Sequence, residues 1–158
     1  MRVGLGFDVH HLEVGRRLTL GGVELPSDLG LVGHSDADVI CHALIDALLG
    51  AAGLGDIGTL FPDTDPAYRE ARSLDLLVDA VRRCRDAGWQ VENVDVTLLA
   101  QAPRLAPYRE KIRASLADAL GLDVAEVSVK GKTTDHLGAL GRGEGMAAQA
   151  VALLAPIG

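Results

Sequence analysis

The chain is predicted to form an α/β fold in a single domain covering residues 1–158, and three observations carry that expectation. Some stretches alternate apolar and polar residues with the period of a strand, and others repeat apolar residues with the period of a helix, the two kinds interleaved along the chain. With 158 residues and 48% hydrophobic content, the chain can close one sizeable core. No repeat, low-complexity segment or Pro/Gly-rich linker divides it, and a mean hydropathy of +0.21 argues against disorder.

The elements follow in order. Arg2 to Val9 reads as a strand, and Arg17-Leu18-Thr19-Leu20 as a short strand entering the turn Gly21-Gly22-Val23, with a surface loop after it. Ser35 or Asp36 can cap a helix running to about Ala52, with Val39, Ile40, Leu44, Ile45, Leu48 and Leu49 as its apolar surface and His42 near its second turn. The Gly-rich stretch Gly53 to Gly58 leads into Phe61-Pro62-Asp63-Thr64-Asp65-Pro66, whose prolines and carboxylates predict an ordered loop. A second helix begins at Ser73, with Leu74, Leu77, Val78, Val81 and Cys84 at helical spacing, and ends at Gly88. Val91 to Ala100 is a strand, and Pro107 starts a third helix through Leu120. A strand beginning at Val127 to Val129 delivers Lys130-Gly131-Lys132-Thr133-Thr134-Asp135 to its end. Met146 to Leu154 reads both ways, since its alanines favour helix and its alternation permits a strand.

Charge narrows the function. A net charge of −7 opposes broad electrostatic binding to nucleic acid, and no basic stripe stands out. The apolar runs are too short to span a bilayer and the N-terminus lacks the pattern of a signal peptide, so a cytoplasmic protein without a membrane partner is expected. Cys41 and Cys84 have neither metal-ligand spacing nor a disulfide framework and read as buried free thiols.

Asp8-Val9-His10 is the most informative short motif. Residues two apart on a strand share a face, so Asp8 and His10 can converge on one point while His11 turns away. His42, a little beyond Gly33-His34-Ser35-Asp36-Ala37-Asp38, can add a third ligand. Two imidazoles and one carboxylate suit zinc, and three protein ligands leave a fourth position open, as in a catalytic site. Taken alone, each piece has a plainer reading: a turn or surface pair for Asp8 and His10, a helix histidine for His42. Asp38 and Asp46 flank His42 at a spacing of four, so either can orient its imidazole or simply cap and solvate the helix, with Asp46 the favoured orienter.

Seven blocks together resemble one family over almost the whole length. Gly6-Phe7-Asp8-Val9-His10, His34-Ser35-Asp36, His42-Ala43-Leu44, Asp56-Ile57-Gly58, Leu60-Phe61-Pro62-Asp63-Thr64-Asp65, Ala100-Gln101-Ala102-Pro103 and Gly141-Arg142-Gly143-Glu144-Gly145 resemble the 2-C-methyl-D-erythritol 2,4-cyclodiphosphate synthases. The resemblance implies a mixed sheet with helices on one face, like that of Bacillus chorismate mutase, assembled as a homotrimeric ring with active sites between subunits. It also favours the strand reading of Met146 to Leu154. It implies an enzyme of the non-mevalonate isoprenoid pathway that cyclises 4-diphosphocytidyl-2-C-methyl-D-erythritol 2-phosphate and releases CMP.

Site roles come with the resemblance. Zn2+ would be held by Asp8, His10 and His42, and a second divalent cation, Mg2+ or Mn2+, by Asp135. Asp8, Val9 and His10 also count as substrate contacts. His34 and Ser35, read as lying at a helix start where phosphate is favoured, are assigned to the 2-phosphate, with His34 and Thr133 as transition-state stabilisers. Asp56, Ile57 and Gly58, with Phe61, Pro62, Asp63, Thr64 and Asp65, hold the methylerythritol hydroxyls. Ala100, Gln101, Ala102, Pro103, Arg104, Leu105 and Ala106 match the cytosine pocket, and Lys132, Thr133, Thr134 and Asp135 the diphosphate segment. Ala139 and Arg142 sit where some members bind an isoprenoid diphosphate in a central cavity.

The chain departs from the family at several of these points. Lys132 stands where threonine is common, Asp135 where glutamate is common, His136 for lysine, Ala139 for a bulky aromatic and Gln149 for glutamate. Two other readings use the same residues: a zinc-dependent phosphohydrolase activating water, and a non-catalytic trimeric nucleotide-binding module.

Overall fold

Alternation in the first strand sets the plan of the molecule, which a computed structural model describes over all residues 1–158. Strand β1 (Arg2–Val14) turns Gly4, Gly6, Asp8 and His10 to one side and Val3, Leu5, Phe7 and Val9 to the other. Helix α1 (Val39–Ala52) lies on the glycine side. A β-carbon at Gly4 would come within 1.8 Å of the Ala47 carbonyl oxygen, and one at Gly6 within 1.8 Å of that of Ala43. The missing side chains let the helix backbone rest directly on the strand, and that approach carries His42 over Asp8 and His10.

Strand β4 (Leu29–Leu31) pairs with the far end of β1. With β5 (Trp89–Leu99), β6 (Val127–Lys132) and β7 (Gly145–Pro156), these strands form a five-stranded sheet in the order β4-β1-β7-β5-β6. β5 and β6 run parallel and the other neighbours antiparallel, so the sheet is mixed. Strands β2 (Leu18–Leu20) and β3 (Val23–Leu25) make a separate hairpin, turned by Gly21 and Gly22 at φ of 57° and 77°, a two-residue turn that glycine allows.

Helices α1, α3 (Ser73–Asp86) and α4 (Arg109–Leu120) cover one face of the sheet. The core lies between, with Val94, Val96, Leu98, Val127, Val129, Ala148, Ala150 and Ala152 buried from the sheet side. All of α1 except Asp46 and Gly50 is buried, because α3 covers the side that the sheet does not. No helix is long and apolar enough to cross a membrane.

Most expected elements form, with corrections that have physical causes. β1 continues beyond Val9 because β7 pairs with it through His11 and β4 pairs with Leu12 to Val14. Val23, expected in the turn, already begins β3, and the loop expected after it contains the rest of β3 and β4. Neither Ser35 nor Asp36 caps α1; Asp38 does, its carboxylate accepting the Cys41 N–H at 3.1 Å, while Ala37 before it takes φ of 55°. The Gly-rich segment ends in a single helical turn, α2 (Ile57–Leu60), capped by Asp56. Leu76 and Ala80 are buried on α3, and Val78, expected in the stripe, is 48% exposed. Ala106–Tyr108 forms a tight turn before α4, which starts at Arg109 and not at Pro107. Met146 to Leu154 is strand throughout, held between β1 and β5.

Candidate metal centre and nucleotide pocket

Asp8, His10 and His42 meet where α1 crosses β1. His10 Nε2 lies 2.9 Å from Asp8 Oδ2, His42 Nδ1 lies 3.0 Å from the same oxygen, and the two ring nitrogens are 3.1 Å apart. Ligands of a tetrahedral zinc ion at about 2.0–2.2 Å sit roughly 3.3 Å from one another, so these three atoms need only a small expansion to receive one. The donor set fits a divalent metal, and this is the group of three such side chains gathered closely enough to hold one. Exposed His11 turns away toward Glu13, at 3.3 Å, as strand alternation predicts.

Electrostatics favour a cation at this point. Burial works against ionisation of Asp8, yet hydrogen bonds from His10 and His42 outweigh it and hold the carboxyl at about 2. The Asp8 carboxylate raises the His10 pKa against the opposing effect of burial. The site thus concentrates one fixed negative charge beneath two imidazoles.

The neighbouring carboxylates have other tasks. Asp38 accepts backbone N–H groups from Gly21 at 2.9 Å, Gly22 at 2.7 Å and Cys41, tying the start of α1 to the β2–β3 turn. Burial pushes its carboxyl above the usual range, as it does the Cys41 thiol beside it. Asp46 accepts the Ile57 N–H at 2.8 Å and so anchors α2 to α1. The sequence reading looked to Asp46 as the orienter of His42. The structure places two hydroxyls at His42 Nε2 instead, Ser73 at 2.8 Å and Ser35 at 3.1 Å. Ser73 was read only as a helix start, and nothing in local spacing links it to His42.

A polar loop borders the metal corner. Asp56 accepts the N–H and the hydroxyl of Thr59, both at 2.7 Å, and those bonds lower its pKa. Ile57, Gly58, Pro62, Asp63 and Thr64 follow at least partly open to solvent, while Phe61 is buried against Tyr68. His34 Nε2 lies 3.3 Å from the Asp65 carbonyl, which joins this loop to the His34–Ser35 stretch. Because α1 begins only at Val39, His34 and Ser35 do not stand at its N-terminus, and the helix dipole does not favour a phosphate beside them.

A second cavity, of about 190 Å³, opens at the ends of β5 and β6. Ala100, Gln101, Pro103, Arg104, Leu105, Ala106 and Lys132 line it, together with Leu98, Gly131 and Arg109, which sequence reasoning missed. Ala102 belongs to the same segment but not to the lining. Gly131 passes tightly under Leu105, whose side chain a β-carbon there would meet at 3.1 Å. Beyond it, Thr133, Asp135 and His136 are exposed; Asp135 and His136 take φ of 54° and 62°, and Thr134 donates its hydroxyl to the Leu137 carbonyl. Exposed Ala139 lies in the short helix α5 (Gly138–Gly141), and the Arg142 guanidinium pairs with Glu144 at 3.2 Å.

The structure therefore brings the predicted residues together in two groups, not one. β7 and β5 lie between β1 and β6, so three strand spacings of about 4.8 Å separate the metal strand from the strand that carries Lys132. Asp135 is not part of the metal cluster within one chain.

Comparisons with known proteins agree with the geometry. The chain is 60% identical over 154 residues to the 2-C-methyl-D-erythritol 2,4-cyclodiphosphate synthase of Azoarcus sp. (strain BH72), covering 98% of this chain and 95% of that one. A solved 2C-methyl-D-erythritol-2,4-cyclodiphosphate synthase in its CDP-bound form superposes with a TM-score of 0.91 at 41% identity, over 98% of this chain and 100% of the other. The bifunctional IspDF of Campylobacter jejuni superposes with a TM-score of 0.95 at 43% identity; 99% of this chain is covered, but it spans 42% of that longer protein. The YgbB family pattern matches residues 1–155. With similarity running from end to end and the donor triad in place, this chain belongs to the YgbB family, that of the 2-C-methyl-D-erythritol 2,4-cyclodiphosphate synthases.

Proposed function

We propose that the protein converts 4-diphosphocytidyl-2-C-methyl-D-erythritol 2-phosphate to 2-C-methyl-D-erythritol 2,4-cyclodiphosphate and CMP, as a metal-dependent phosphorus–oxygen lyase. The observation that carries this reading is the convergence of Asp8 Oδ2, His10 Nε2 and His42 Nδ1 in a chain 60% identical to a synthase of that name. In the reaction, an oxygen of the 2-phosphate forms a bond to the β-phosphorus while the bond from that phosphorus to the bridging oxygen breaks, and the bridging oxygen leaves on CMP. No outside nucleophile is required.

Both reacting groups are anionic, so the protein must fold the substrate back on itself and offset charge. Zn2+ held by Asp8, His10 and His42 would supply Lewis-acid stabilisation of the phosphoryl oxygens. His34 and Ser35 are assigned to the 2-phosphate, and Asp56 with the Phe61–Asp65 loop accepts the sugar-chain hydroxyls. The cavity over Ala100 to Ala106 takes cytosine, with Arg104 toward phosphate. Thr133 polarises the diphosphate as a hydrogen-bond donor, and Asp135 is the residue offered to a second cation, Mg2+ or Mn2+.

The two groups of residues are separated within one chain, and the site becomes whole when the metal corner of one copy faces the nucleotide pocket of another. A cyclic homotrimer meets that need. The outer face of the sheet supports it: Val3, Leu5, Phe7 and Val9 are 53–68% exposed, with Val151 beside them on β7, and a second copy covering them would remove this apolar surface from water.

Phosphorus NMR of the purified protein with this substrate and Mg2+, before and after chelation, tests the proposal. Cyclic diphosphate and CMP, lost on chelation, are expected. A linear hydrolysis product would identify a phosphohydrolase instead, and unchanged bound substrate a nucleotide-binding module.

A further inference from the structure

We infer that Ser73, held by Asp36, is a positioning residue that accepts the Nε2–H of His42 and fixes the ring so that Nδ1 is the nitrogen offered to the metal; this rests on the metal reading proposed above. The buried Ser73 hydroxyl lies 2.8 Å from His42 Nε2. On its other side it meets Asp36 Oδ1 in a short hydrogen bond, while Asp36 Oδ2 accepts the Ser73 backbone N–H at 3.1 Å. An ionised carboxylate has no proton to give, so the hydroxyl donates to Asp36 and its oxygen is left as an acceptor toward the imidazole. A proton on His42 Nε2 is therefore received by Ser73 and the ring is held at that edge. Nδ1, which meets Asp8 in the metal-free site, is the nitrogen left to bind a metal.

His10 reaches the same state by a different route. Its Nδ1 is 2.8 Å from the Val32 carbonyl, an acceptor only, so a proton sits there and Nε2 is the nitrogen left for a metal. Both imidazoles thus anchor one edge and turn the other nitrogen toward one point, one anchored by the backbone and the other by the Ser73–Asp36 pair. A second observation separates this role from ordinary helix capping. Ser73 is the first residue of α3 and not its N-cap, which is Arg72 and makes no side-chain capping bond, so the Ser73 hydroxyl is not engaged with the helix's own N–H groups. The hydroxyl of Ser35 is also near His42 Nε2, at 3.1 Å, but that residue is only partly buried and accepts the Ala37 N–H as well.

The test uses the intact protein and two readouts that need no substrate. Long-range 1H–15N correlation of the histidine rings should show a slowly exchanging His42 Nε2–H proton in metal-free and zinc-loaded protein alike, and Ser73→Ala should make it exchange quickly. Competition against a chromophoric chelator should show zinc affinity falling about 10- to 100-fold in Ser73→Ala, the range found when the partner of a metal-binding histidine is removed. Ser73→Thr, which keeps the hydroxyl, should recover most of the loss. Asp36→Asn introduces a side chain that can donate, releases the direction of the relay and should lower affinity by less. Circular dichroism melting of the metal-free variants identifies any that fail to fold, and Asp36→Asn carries the test if Ser73→Ala does. Wild-type zinc affinity together with unchanged exchange of the His42 Nε2–H proton in the folded variants would overturn the inference. Absence of zinc binding by the wild-type protein would defeat the metal reading instead, and the exchange comparison in metal-free protein would still decide the role of Ser73.

Discussion

The metal corner and the segment after β6 differ in how much of their geometry one chain supplies. At the corner, α1 touches β1 backbone to backbone, and His42 is buried and bonded on both ring nitrogens. After β6, Thr133, Asp135 and His136 stand in solvent, and the hydrogen bonds there are local to the turn. A bonded, largely covered cluster pays its ordering entropy during folding and is ready before any ligand arrives. The exposed turn has no such support within the chain, and the proposed homotrimer would cover it. The chain thus combines a preorganised cluster with an open turn.

The largest effect should come from closing the gap that creates the corner. Gly6→Ala drives a methyl group into the Ala43 carbonyl, and the helix cannot retreat without losing its contact with β1. A loss of at least about 4 kcal/mol, the level reserved for backbone displacement in a core, is expected by chemical denaturation. Wild-type stability would mean that α1 does not sit on the strand as described.

Asp38→Ala should rank next, because it removes the α1 cap and leaves the buried Gly21 and Cys41 N–H groups without an acceptor. We expect about 2–4 kcal/mol by the same measurement. Asp135→Ala, at an exposed turn, should change stability by less than about 0.5 kcal/mol. Equal losses in these two variants would erase the contrast between the halves.

Mixing sharpens the comparison at the level of activity. His42→Ala removes one metal ligand, and Thr133→Ala removes a group from the other half. Each should be nearly inactive alone while remaining folded. Co-refolded mixtures should regain activity, because a shared interface can pair the intact corner of one copy with the intact turn of another. No recovery in mixed trimers would place a whole site inside each chain.

The smallest effect belongs to a carboxylate on the outer side of α3. Burial opposes ionisation of Asp79, but hydrogen bonds from Arg83 and Arg82 hold its pKa below the usual 3.8. A lowered folded-state pKa stabilises above the unfolded value, and that contribution disappears as pH falls through the lowered one. Asp79→Asn should therefore flatten the acid limb of stability below about pH 4, with an effect of at most about 1 kcal/mol for a partly exposed group paired at the surface. A larger change would mean that surface pairing on α3 matters as much as the Asp38 network.

Much of this architecture was legible before any coordinates. Period-two alternation places Asp8 and His10 on one face, and period-3.6 patterning builds the helix that carries His42; both are local properties of the backbone. The cap was misjudged because Ser35, Asp36 and Asp38 are all good cap residues, and only the positive φ of Ala37 and the reach of Asp38 to Gly21 and Gly22 select the last. β4 was missed because Leu29-Gly30-Leu31 is too short to show a period, and it forms a strand only by pairing with β1. Arg109, in the lining of the cavity at the ends of β5 and β6, is not legible from the motif because it follows that motif and reaches the lining from the start of α4.

By itself the sequence determined the strand and helix periods, the candidate ligand triad and the family. Tertiary structure alone decided that Gly4 and Gly6 admit a helix onto β1, that His42 meets Ser73 and, through it, Asp36, that Asp38 and Asp46 serve the backbone, and that the candidate nucleotide pocket lies three strands from the candidate metal corner. The division has a simple cause. Neighbours along a strand or helix meet through fixed local geometry, whereas Ser73 and His42 belong to different helices and meet only after the chain has packed.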